Sequence, residues 1–164
     1  MRQVRNGVFE TNSSSMHSLS ISKHGTYGTL PVDEFENKVI THFGEFGWGY
    51  DTYRDPETKL SYLVTMLVET NGDCYSIEEL CETEEFQEIN SVIAEYCDCD
   101  GILIDEKIEQ ANYDGRYYEW NEHTGYIDHQ SVIGIHNLLD YYDCTLEEFI
   151  FDEGVVLIID NDNH

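Results

Sequence analysis

Thirty-four Asp and Glu against eight Lys and Arg leave a formal charge of −26 on a chain of 164 residues. That excess limits what the chain can fold into more than any other feature. An unpaired carboxylate in an apolar interior costs several kcal/mol. Nearly all of the acids must therefore face outward, one side of each element at a time, against mutual repulsion. Hydrophobic residues nevertheless make up 40% of the chain and aromatic residues 13%, 12 of them Tyr. Disordered acidic chains are poor in aromatics, so a packed core is expected. The length suits one domain, 1–164. Charge is unevenly spread within it. Residues 1–30 carry Arg2, Arg5 and Lys23 against Glu10, a formal +2, whereas residues 31–164 carry 33 acids against five bases, or −28.

A field of this sign repels nucleic acid, membrane phosphates and acidic metabolites, and steers the chain toward basic surfaces. One reading is solubility, salt adaptation or cation binding. The sharper one has carboxylates standing in for phosphates in the basic groove of a nucleic-acid-binding protein. Duplex DNA offers such a groove one charge per roughly 1.7 Å of axis. Charge alone does not separate the two. No apolar run approaches the roughly 20 residues of a membrane helix, and the polar start is unlike a signal peptide. A cytoplasmic location is expected. Five cysteines (Cys74, Cys81, Cys97, Cys99 and Cys144) are an odd number and read as reduced thiols. Cys97 and Cys99 have C-x-C spacing rather than the C-x₂-C of a structural zinc site, and no second pair follows. No metal or other cofactor is expected.

Taken in order, Val4 to Phe9 predicts a strand, Thr11 to Ser15 a tight loop, and Met16 to Ile21 a half-buried strand by alternation. Lys38 to Phe46 alternates again and runs into Gly44-Glu45-Phe46-Gly47-Trp48-Gly49-Tyr50. Rings on so glycine-rich a backbone suit either a partner-binding flap, with Trp48 and Tyr50 at the contact, or packing over the core. Asp55-Pro56-Glu57 starts a helix with one apolar stripe (Leu60, Leu63, Val64, Leu67), ending near Asn71-Gly72. Ser76 and Glu79 form a capping-box pattern for a second helical region that breaks at Thr83 and runs to Tyr96. Its outer face carries Glu78, Glu79, Glu82, Glu84, Glu85, Glu88 and Glu95. Like charges at helical spacing cost a few tenths of a kcal/mol per pair, and this is the first choice for a phosphate-mimicking surface. Cys97 to Gly101 predicts a turn and Ile102 to Ile104 a buried strand. Tyr117 to Trp120 and Gly125 to Asp128 read as hairpin arms around residues 121–124. Ser131 starts a helix with Val132, Ile135, His136, Leu138 and Leu139 inside, and Thr145 with Glu148 a short one. The apolar run Val155 to Ile159 predicts a buried strand. The sum is a single α+β domain, a mostly antiparallel sheet with three to four helices.

The weakly basic opening holds the remaining chemistry. Arg5 with Asn12, Ser13, Ser14 and Ser15 suits a phosphate, since guanidinium supplies forked charge and hydroxyls and amides donate. His17 is a candidate general acid or base with Glu10 orienting it, or the activator of a serine nucleophile. His129, close to His123 and Asp128, is a candidate second imidazole for phosphodiester cleavage. Against this, the segment has neither a nucleophile elbow nor a P-loop lysine. On a strand His17 shares a face with Leu19, which suits a core histidine equally well.

The opening Arg5-Asn6-Gly7-Val8-Phe9-Glu10-Thr11-Asn12-Ser13-Ser14-Ser15-Met16-His17-Ser18, with Phe43 to Tyr50 and Tyr126 to Ser131, resembles a group of small phage and mobile-element proteins of Gram-positive bacteria. These motifs cover about a sixth of the chain. The resemblance implies genetic context, one in which counter-defence proteins such as anti-CRISPRs are common, and brings no catalytic roles with it. Together with the acidic surface, it leads to an expected function: an anti-defence protein that mimics nucleic acid and inhibits a host effector such as a CRISPR nuclease. The expected partner is a basic nucleic-acid-binding protein. The alternative is a small enzyme acting on a phosphodiester or nucleotide.

Overall fold

The computed structural model describes residues 15–21, 25–47, 49–71, 76–105, 125–127 and 134–161. In chain order the elements are β1 (Ser15–Ile21), β2 (Val39–Thr41), β3 (Glu45–Phe46), β4 (Asp51–Tyr53), α1 (Pro56–Thr70), α2 (Ile77–Cys81), α3 (Glu84–Cys97), β5 (Ile102–Ile104), β6 (Tyr126–Ile127), α4 (Ile135–Tyr142), α5 (Leu146–Phe151) and β7 (Val155–Asn161). The expected strand Val4 to Phe9, the residues of the opening loop before Ser15, and the arm Tyr117 to Trp120 lie outside the described residues.

The core is organised around α1. Asp55 caps it by accepting from the Thr58 N–H at 2.7 Å, Pro56 sits where its missing N–H removes no helical bond, and Glu57 meets the positive end of the dipole. From Tyr62 to Leu67 every residue is buried. The helix is therefore enclosed, not half-exposed with the single apolar stripe its spacing predicts. Elements α3, α4, α5, β2 and β6 all pack on it. The Phe46 ring meets Tyr62 edge-on at 5.2 Å and Tyr53 edge-on at 5.8 Å, which decides the Gly44–Tyr50 loop in part: Phe46 belongs to the core. On the far side Tyr96 stacks on Phe151 at 3.6 Å.

The α+β class is as expected, but the sheet and the helix count are not. Two of the three described sheets are parallel pairs, β2 with β5 and β3 with β6, and the described helices number five. The third sheet is antiparallel, with β7 between β1 and β4, as the continuous apolar run of β7 requires of a central strand. Parallel pairing follows from the connection: β2 and β5 are separated by α1, α2 and α3, a crossover long enough to bring the chain back in the same direction. Residues 38–46, expected as one strand, form two, because backbone groups between them bond to α1. The Gly44 N–H donates to Thr65 Oγ1 at 2.9 Å, and Ser61 Oγ donates to the His42 carbonyl at 2.9 Å. The extra helix arises at Thr83, whose Oγ1 donates to the Leu80 carbonyl and accepts from the Phe86 N–H. That side chain closes α2 and opens α3.

The end of α3 is equally local in origin. Asp98 takes the left-handed conformation at φ 52°, as Asn37 and Asp143 also do among the described residues, and Gly101 follows at φ 102°. Short polar side chains tolerate that region better than others. Asn90 Oδ1 of α3 then accepts from the Ile102 N–H at 2.8 Å, fixing the start of β5 against the helix. A Cβ on Gly101 would run into the Asn90 amide. Gly101→Ala is expected to lower stability by about 2–3 kcal/mol in urea-induced unfolding.

Candidate functional site

The acidic helices divide by what holds each carboxylate. Glu78 and Glu79 lie in the first turn of α2, and Glu84 and Glu85 in the first turn of α3. There the helix dipole favours them by about 0.3–1 kcal/mol each. Those four acids have a local structural reason. Glu82, Glu88 and Glu95 do not: Glu82 caps the C-terminal end of α2, where the dipole opposes an anion. Along α3, Glu84, Glu88 and Glu95 are exposed and fall at i, i+4 and i+11, a line down one side of the helix, whereas Glu85 turns half inward. Neither α2 nor α3 contains a Lys or Arg, and neither has a basic residue in its last turn. An exposed contact to this line is His136 Nε2 of α4, 3.8 Å from Glu88 Oε2. His136 was expected inside α4; its 66% exposure corrects that, and the described helix begins at Ile135 after a Gly134 cap.

Of the Ser/His motif, the described part is Ser15 and His17 in β1. They stand opposite Asn161 and Ile159 of β7, and Asp51 of β4 is the third member of the row through His17. Arg5, Glu10, Ser13, Ser14 and His129 lie outside the described residues, as do Trp48, Cys74, Asp128 and Ser131. Tyr50 is 65% exposed. Among the described residues no group of three or more His, Cys, Asp or Glu is arranged to hold a metal ion, and no helix is long and apolar enough to cross a membrane. Cys81, Cys97 and Cys99 are free thiols. Burial raises the pKa of Cys81 and Cys97, which keeps both protonated and unreactive at neutral pH.

One titratable side chain that sequence reasoning passed over is Lys59, fully buried in α1. Its Nζ donates to the carbonyls of Asp152 at 3.0 Å and Val155 at 3.3 Å. Arg54 Nη1 donates to the neighbouring Glu153 carbonyl at 3.0 Å. Two of the chain's few cations thus hold the turn from α5 into β7, just past the negative end of the helix dipole. The same turn is closed by Gly154 N–H donating to Asp152 Oδ1 at 2.7 Å, and Gly25 packs so closely on it that a Cβ would overlap Asp152 and Gly154. The signal was present: Lys59, Leu63 and Met66 fall at i, i+4 and i+7, so a lysine sits on the apolar side of the helix. Enclosed on every side, Lys59 is a brace between α1 and the α5–β7 turn, not a reagent.

Burial lowers the Lys59 amine to about 8, with Asp152 pulling the other way. Its unfolded value lies near 10.5, so between these two values the unfolded chain holds more protons. Stability contributed at this site therefore rises as pH increases through 8, and below 8 the cost of the buried charge is felt in full. Lys59→Met removes one donor each from the Asp152 carbonyl, which keeps the Val155 N–H, and the Val155 carbonyl, and is expected to lower stability by about 1–2 kcal/mol at pH 7. The gap between wild type and variant should widen from pH 8 toward 10 in thermal unfolding. In comparisons with known proteins, the chain matches no family model, no curated protein and no solved structure.

Proposed function

We propose that this protein is an anti-defence inhibitor of phage or mobile-element type. In this reading it occupies the cationic nucleic-acid groove of a host effector, such as a CRISPR nuclease, in the host cytoplasm. The observation that carries the reading is the line Glu84, Glu88, Glu95 on a helix without a single cation. At 1.5 Å per residue these carboxylates are separated by roughly 6 and 10 Å along the axis. They form a row of like charges on one helix face, the kind of surface a cationic groove would receive. Glu78, Glu79 and Glu82 continue the negative surface onto α2. The net charge of −26 supplies the long-range attraction to a basic partner.

The test is inhibition of a purified CRISPR nuclease, with and without competing DNA. Affinity should fall roughly tenfold or more between about 0.1 and 0.3 M salt, because each ion pair releases counterions on forming. The triple charge reversal Glu84→Lys, Glu88→Lys, Glu95→Lys should weaken inhibition by about 100-fold or more, while His17→Ala should leave it unchanged. Inhibition that ignores charge reversal overturns the reading. Loss on His17→Ala, with nucleic-acid fragments appearing and less than one inhibitor per effector required, points instead to the enzyme built on Arg5, Ser13, Ser14, Ser15, His17 and His129.

A further inference from the structure

The segment preceding β2, Asp33-Glu34-Phe35-Glu36-Asn37-Lys38, holds its aromatic ring almost wholly in water: Phe35 is 96% exposed. A single exposed apolar side chain needs no explanation in itself. What sets this one apart is how firmly its backbone is held. Asp33 Oδ1 accepts from the N–H groups of both Phe35 and Glu36, each at 2.9 Å. The Asp33 N–H donates to the Lys38 carbonyl at 2.8 Å, closing the turn at its base. Asn37 takes the left-handed conformation at φ 50°, and its carbonyl accepts from the Asp100 N–H at 2.7 Å, which pins the turn to the end of α3. Three local hydrogen bonds and one to α3 thus hold up a ring that contributes nothing to the core.

We infer that Phe35 is an anchor that enters an apolar pocket rimmed by Lys or Arg on another protein. The ring supplies the apolar surface, and a preformed turn lowers the entropy lost on docking. The rim chemistry comes from the flanks: Glu34 and Glu36 are exposed on either side of Phe35, with Asp33 beneath. Acids beside the ring exclude an anionic membrane surface. A second copy of this chain is disfavoured as occupant, since each copy carries −26. The turn is also a neighbour of the acidic helices, because the Lys38 charge at its foot acts on the Cys81 thiol of α2. The partner class therefore rests on the inhibitor reading above, to which Phe35 adds an apolar contact that salt does not screen.

The test measures dissociation constants against a panel of purified cationic nucleic-acid-binding proteins, a CRISPR nuclease among them. It compares wild type, Phe35→Ser, Phe35→Leu and the Glu84→Lys, Glu88→Lys, Glu95→Lys variant, after thermal unfolding shows that Phe35→Ser folds like wild type. Phe35→Ser should weaken binding to a panel member by about 30-fold at high and low salt alike, with Phe35→Leu recovering most of it. Binding lost on charge reversal but indifferent to Phe35→Ser overturns the anchor and leaves the mimic standing. Binding that depends on Phe35 without displacing nucleic acid keeps the anchor and overturns the mimic. Binding to no panel member, or Phe35-dependent association of the chain with itself, overturns the anchor.

Discussion

Enclosure of α1 is the constraint on which the rest depends. A helix buried along its middle on every side must have each neighbour supply an apolar face, and five separate elements do so. It also leaves no route to water for Lys59. The ammonium is kept in the core by the carbonyls of Asp152, which caps α5, and of Val155, the first residue of β7. Short strands then suffice, since α1 holds β2 and β3 in place through Thr65 and Ser61 as much as their own pairing does.

The electrostatics follow a similar division of labour. Acids gather in the first turns of α1, α2, α3 and α5, where dipoles welcome them, while Lys59 and Arg54 are assigned to backbone carbonyls in one turn. Part of the acid excess is thereby explained by folding alone. The remainder, Glu82, Glu88 and Glu95 on helices free of cations, gains nothing from the dipole and repels its neighbours. In the proposed reading Glu88 and Glu95, with Glu84, face the partner. The aromatic groups divide likewise, with Phe46 taken into the core and Tyr50 and Phe35 left outside.

Local signals were legible wherever a side chain answers to its own backbone. Asp55, Ser76, Thr83 and Thr145 each cap the helix they announce, Thr145 and Glu148 in a reciprocal box. The strands from Met16, Ile102 and Val155 lie where alternation or apolar runs put them. The acidic line on α3 was legible for the same reason, being a matter of helical period. The exposed Phe35 was not, because a phenylalanine between two glutamates reads equally as one face of a buried strand. Nor was the inward Lys59, whose position implied burial while its charge implied the reverse.

The amino-acid order by itself therefore determined where α1, α2, α3 and α5 begin and the sign of the surface field, since each depends on interactions within a few residues or on composition. Only the tertiary structure decided that β2 meets β5 and β3 meets β6 in parallel, that α1 is covered all round, and that Lys59 faces inward while His136 faces out. Those outcomes depend on which distant surfaces come together and on whether a carbonyl or a carboxylate is waiting there, and residues adjacent in sequence carry no record of it.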